Sequence, residues 1–161
     1  MHIPEPQAEH LWLHQLVGEW SIESECIMGP DQPPMKTTGR EVVRPLGKLW
    51  TIGEGSGNTP EGGSCDSIMT LGYDPQAKRF VGSFIASAMT HLWPYVGSLD
   101  ETEKILTLDS EGPSFAGDGT MAKYQDIIEF VTKDHRTLTA RVQSADGSWQ
   151  QFMTAHYRRK Q

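Results

Sequence analysis

From Gly18 onward the chain alternates polar and apolar side chains with a period of two, in short runs separated by turn-forming residues. The runs are Glu19–Met28, Thr37–Arg44, Leu49–Glu54, Ser67–Tyr73, Phe80–Ser87, His91–Leu99, Ile105–Asp109, Tyr124–Thr132, Thr137–Ser144 and Ser148–Arg158. Between them lie GPDQPP, PLGK, GNTPEGG, YDPQAK, DETEK, KDHR and ADGS, all built from residues that reverse a chain cheaply. Ten short strands with hairpin-length links predict a meander, and a strip that long closes on itself to remove its edges. The expected fold is all-β, a closed antiparallel barrel over about residues 18–159. Period two sets the faces sharply. In the last run, Trp149, Gln151, Met153, Ala155 and Tyr157 form the more apolar set and are expected inside.

Before Gly18 the period is helical. Ala8, Leu11, Trp12 and Leu16 make one stripe, widened by Leu13 and Val17; Pro6 suits the first turn and Gly18 the stop. A helix over about 6–17 is too short to persist alone and must pack on the barrel. The 161 residues fit a single domain, 1–161, with no repeat or linker. The longest irregular link, Ser110–Lys123, is expected to carry a loop over one barrel mouth. A net charge of −7 repels phosphate backbones and anionic membranes, which argues against nucleic acid as a partner. No apolar run approaches the roughly 20 residues of a membrane span. The start, MHIPEPQAEH, lacks the pattern of a secretory signal, so the expected location is cytoplasmic, with Cys26 and Cys65 as reduced thiols.

The short helix leads straight into Gly18-Glu19-Trp20, and an Arg stands near the end of the last strand. This arrangement resembles the calycin superfamily. That resemblance implies Trp20 lying across one end of the barrel with Arg159 (or Arg158) packed over it. A closer likeness runs through LVGEW, MTLGYDPQAKRFVG, SAMTHLWPYVGSLD, LTLDSEGPSFAGDGTMAKYQDIIEF and DGSWQQFMTAHYRR. These motifs are similar to the bacterial domain-of-unknown-function family numbered 1579, which implies a lipocalin-like barrel and no settled activity.

The stretch Thr90–Tyr95 is the most unusual local feature. In a strand His91, Trp93 and Tyr95 point one way, a polar-tipped aromatic wall. Pro94 cannot donate a ladder hydrogen bond and marks a bulge or an edge near a barrel seam. With Trp20, Trp50, Met69, Phe84, Tyr124, Asp126, Phe130, Met153 and Tyr157, the wall is expected to line a cavity suited to a small hydrophobic or amphipathic ligand. His10 and His14 are one helical turn apart, but HLWLH lacks the Glu of the zinc-protease pattern and no third ligand is evident, so no metal is expected. His156 sits late in the last strand, where resemblance to the nitrobindins implies a haem ligand; the alternation puts it outside, which argues against haem. No nucleophile elbow, phosphate-binding loop, C-x-x-C or dinucleotide fingerprint is present. Three readings follow. A non-catalytic binding barrel needs an open interior. A small enzyme using His91, Tyr124 and Asp126 needs those side chains converging on an open volume. A barrel that only self-associates through exposed aromatics, as a homodimer, predicts no internal void.

Overall fold

Hydrogen bonding turns the alternation into a closed surface. The computed structural model describes residues 1–27, 29–59 and 61–161. In it α1 (Ala8–His14) is followed by β1 (Gly18–Cys26), β2 (Met35–Leu46), β3 (Trp50–Asn58), β4 (Ser64–Asp74) and β5 (Arg79–Ala86). Next come β6 (Trp93–Leu99), β7 (Ile105–Pro113), β8 (Met121–Thr132), β9 (His135–Gln143) and β10 (Trp149–Arg159). Each strand pairs antiparallel with its sequence neighbours, and β1 closes on β10 from Trp20↔Arg159 to Cys26↔Met153. Met28, at the end of the first expected strand, and Pro60 lie outside the described residues. Among those described, no helix is long and apolar enough to cross a membrane.

Side-chain parity holds along nearly every strand, and the exceptions have physical causes. On β10 the register shifts between Gln151 and Met153. That bulge exchanges the two faces upstream of it. Gln151 therefore stands beside Arg141, and Trp149 packs under the Arg141 guanidinium at 5.0 Å on the outer face. The expected interior set is corrected to Met153, Ala155 and Tyr157. The helix is shorter than expected, and its last stretch becomes a turn closed by Leu16 N–H to Leu13 O (3.0 Å) and Val17 N–H to His14 O (3.2 Å). β7 and β8 run further than their sequence patterns suggest, so the irregular link shrinks to residues 114–120. His91 precedes β6 rather than belonging to it.

One end of the barrel is filled. Leu13, Leu16, Trp20, Phe80, Leu106, Leu108 and Ile128 are fully or nearly fully buried there. Trp12 of α1 meets Phe80 and Phe130 edge-on at 6.2 and 5.6 Å. His10 joins the helix to the barrel. Its Nδ1 accepts from the Gln7 N–H (2.9 Å), so Nε2 carries the proton and donates to Tyr73 O (3.0 Å). His14 Nδ1 donates to His10 O at 2.8 Å, so both histidines are tied to backbone carbonyls.

The G-x-W motif has a direct explanation. Trp20 Nε1 donates to Leu16 O at 2.8 Å, and the Arg159 guanidinium lies 4.2 Å from its ring centroid. Arg159 also donates to Val17 O (2.7 Å), Gln15 O (2.9 Å) and Asp134 Oδ1 (3.1 Å); Arg158 instead faces Glu23. Gly18 sits at φ +141°, and a Cβ there would lie 2.4 Å from Arg159 Nη1. Gly18→Ala is therefore expected to lower unfolding free energy by about 1–3 kcal/mol. Urea titration checks this, and an unchanged midpoint would contradict it.

Candidate functional site: a half-open barrel interior

The other end of the barrel is open. A cavity of about 760 Å³ occupies it, above the roughly 300 Å³ at which small-molecule pockets begin. Its origin is a wall without side chains. The inward positions of β3 at this end are Gly55 and Gly57, flanked by Gly39 of β2 and Ser67 of β4. At Gly39 and Gly57 the β2 and β3 backbones approach so closely that a Cβ would lie 2.7 Å from Ser56 O and 3.1 Å from Thr38 O. Only glycine fits such contacts without moving a strand.

Facing this wall stands an aromatic one. Trp93 is edge-on to Tyr124 at 4.9 Å and to His91 at 4.8 Å. Phe115, in the 114–120 loop, bridges Tyr124 (5.7 Å) and Phe152 (5.0 Å) at the mouth. Phe152 reaches the cavity because of the β10 bulge. Trp93 lies flat over Gly112, where a Cβ would come within 2.1 Å of the indole. Pro94 sits at a seam, as expected. β6 pairs with β7 only from Val96↔Asp109 onward, and extending that register puts Pro94 opposite Glu111. His91 Nε2 supplies the missing donor, bonding Glu111 O at 2.9 Å.

Serine and threonine hydroxyls line the glycine side, and near the aromatic wall Trp93 Nε1 and Ser110 Oγ are buried with no hydrogen-bond partner among the described residues, whereas the tyrosines are engaged. Tyr124 OH donates to Pro113 O at 2.5 Å. Tyr95 OH donates to Asp126 Oδ2. Burial pushes the Asp126 carboxyl above its ordinary value, and the bond from Tyr95 offsets part of that. Burial, then the Asp126 charge, pushes the Tyr95 hydroxyl well above the ordinary phenol range. Tyr157 is raised too, by burial first and by the Glu41 charge second. Glu41 lines the cavity floor and binds Arg136 beneath it at 2.7 Å. Arg136 in turn stacks on Tyr157 at 4.0 Å and on Trp20 at 4.6 Å.

The raised Asp126 value has a pH consequence. The folded protein holds a proton that the unfolded chain releases, so this group's stabilisation is complete below about pH 4 and fades as pH rises through its folded value. Asp126→Asn, which still accepts from Tyr95, removes that dependence. Thermal midpoints are expected to converge at acidic pH and to favour the variant increasingly as pH rises. Parallel curves would contradict the placement.

Of the residues expected to line the cavity, Met69, Phe84, His91, Trp93, Tyr95, Tyr124, Asp126, Met153 and Tyr157 do line it. Three do not. Trp50 is 40 % exposed, because β3 turns Thr51 and Gly53 inward; it packs outside over Gly72, where a Cβ would lie 2.4 Å from its ring. Trp20 and Phe130 point inward but belong to the filled end. His91, Tyr124 and Asp126 share the cavity without bonding one another; each is engaged elsewhere. His156 is on the outer face, its Nδ1 2.9 Å from His135 Nε2, and cannot reach an iron held in the cavity. The residues thus do not fit a haem ligated through His156. Glu41, Arg136 and Phe115 went unread in the sequence, and Phe152 was expected on the outer face opposite Trp149 and Met153; alternate glycines in GEGSGN were the available signal for the open wall.

Fold and cavity together define a closed ten-stranded up-and-down β-barrel, filled at its helix end and open at the other. The chain belongs to the family described as Protein of unknown function (DUF1579), whose model matches residues 5–159. No curated protein matches it. Among solved structures it is similar to Rv2717c from M. tuberculosis, at 13 % identity and TM-score 0.66 over 98 % of this chain and 100 % of that one. It is also similar to EF1p2_mFAP2b bound to DFHBI, at 14 % identity and TM-score 0.51 over 94 % and 98 %. A redesigned β-barrel, mFAP0, bound to DFHBI matches at 12 % identity and TM-score 0.50 over 90 % and 99 %. At such identities these likenesses establish the fold alone.

Proposed function

We propose that this barrel binds one small, partly apolar molecule in its open half, without chemistry on it. The observation that carries this reading is the cavity of about 760 Å³ between a glycine wall and an aromatic wall. A void of that size lowers stability by forgoing packing, so its maintenance is explained by an occupant. Two barrels of this fold, EF1p2_mFAP2b and mFAP0, hold DFHBI, which agrees with such a use. The self-association reading predicts a filled interior, and the cavity speaks against it. The catalytic reading is disfavoured because His91, Tyr124 and Asp126 are each bonded to a different partner. The free thiols of Cys26 and Cys65 fit a reducing cytoplasm, where we place the protein.

Native mass spectrometry tests this on protein purified without denaturant. A one-to-one adduct is expected with the wild type and lost in Ser67→Trp, which plants an indole in the void. An adduct that persists unchanged in Ser67→Trp would place the molecule elsewhere.

A further inference from the structure

The charge inventory of the cavity wall restricts its occupant. Among the described residues that line it there are two carboxylates, Glu41 and Asp126, and no lysine or arginine. Glu41 is neutralised by Arg136 at 2.7 Å. Asp126 receives a hydrogen bond from Tyr95, and no ion pair joins it to any described cation. Trp93, Tyr124 and Phe152 line the same space, and the face of an aromatic ring carries negative quadrupole. The net charge of −7 raises the local concentration of cations outside.

We propose that the cavity selects an organic cation, an amine on an aromatic or alkyl body, with its ammonium group paired to Asp126 and its apolar part against the aromatic wall. This rests on the reading that the cavity binds a small molecule, and it names the chemical class. A protonated amine gives Asp126 the charge partner that the protein withholds, and cation–π contact with the rings adds to it. A fatty acid or other carboxylate would be desolvated opposite two carboxylates with no cation in the wall, which costs affinity. The groups facing Asp126 do not supply a substitute. Tyr95 from β6 and Tyr157 from β10 are phenols held neutral, Tyr124 on β8 is bonded to Pro113, and Glu41 from β2 is an anion. His91 before β6 donates to Glu111, and Arg136 from β9 is held by Glu41 and stacked on Tyr157. Because burial favours the protonated Asp126, amine binding strengthens relative to a neutral analogue as pH rises and the carboxylate forms.

Calorimetric titration with 2-naphthylmethylamine, 2-naphthylmethanol and 2-naphthoate tests the class, since the three share a ring system and differ in charge. At pH 8 the amine is expected to bind about tenfold or more tightly than the alcohol, and the carboxylate most weakly. Asp126→Asn should bring the amine-to-alcohol affinity ratio close to one; a ratio kept at its wild-type value would overturn the pairing with Asp126. In the wild type, which needs no variant to fold, the amine-to-alcohol ratio should fall as pH is lowered from 8 through the raised range of the Asp126 carboxyl. Equal affinities for amine and alcohol, or tightest binding of the carboxylate, would overturn the cation class and leave cavity binding standing. If none of the three bound, both readings would fall.

Discussion

Glu41→Leu is expected to destabilise the barrel by about 3–5 kcal/mol, because it leaves a buried guanidinium without its counter-charge. Arg136 is 2 % exposed, its partner Glu41 8 %, and their bond measures 2.7 Å. The Arg136 Nε has no hydrogen-bond partner among the described residues, so the guanidinium already carries one unmet donor before Glu41 is removed. The pair was assembled from distant parts of the sequence, β2 and β9. It stands at the boundary between the filled and open halves of the barrel. Gly53 makes room for it: a Cβ at that position would lie 2.8 Å from Glu41 Oε2. The double variant Glu41→Leu with Arg136→Met should recover most of the loss, since two apolar groups need no partner. Urea unfolding of the four proteins in the cycle reads the coupling directly. A single-variant cost within about 1 kcal/mol would mean that water reaches the pair and that the floor of the cavity is not sealed.

Trp20→Ala should cost a comparable amount, about 3–5 kcal/mol, for a different reason. Trp20 is fully buried, and the loss is one of volume rather than charge. Its indole is stacked by Arg159 and Arg136 and donates to Leu16 O, so it joins the turn after α1 with β1, β9 and β10 in one contact. Trp20→Phe keeps one six-membered ring and loses the hydrogen bond and the smaller ring of the indole, so it should cost less, about 1–3 kcal/mol. Thermal unfolding followed by near-ultraviolet circular dichroism separates the two variants. Equal losses would show that the six-membered ring kept by Phe contributes nothing, and would contradict volume as the main term.

The barrel was legible because period two survives in almost every strand and turn residues mark nearly every break. Its interior was less so. Parity alone says which side chains look inward, and it found Trp93, Tyr95, Asp126 and Tyr157. It cannot say how far along the axis a residue sits, so Trp20 and Phe130 were grouped with a cavity that lies at the opposite end. Trp50 was read inward because it is aromatic, although the glycines that follow two residues apart need the inward row for themselves. The β10 bulge inserts one residue without any glycine or proline to announce it, and so Trp149 and Phe152 exchanged roles. The Glu41–Arg136 pair was hidden because a charged residue on an inward position reads as an exception until its partner is known.

Fluorescence titration with the neutral probe N-phenyl-1-naphthylamine bears most directly on whether the open half receives a molecule. A saturable, one-to-one blue-shifted enhancement is expected with the wild type and absent from Ser67→Trp, while both proteins unfold at similar temperatures. An enhancement of equal size in the two proteins, or none in the wild type, would contradict the cavity as a binding site.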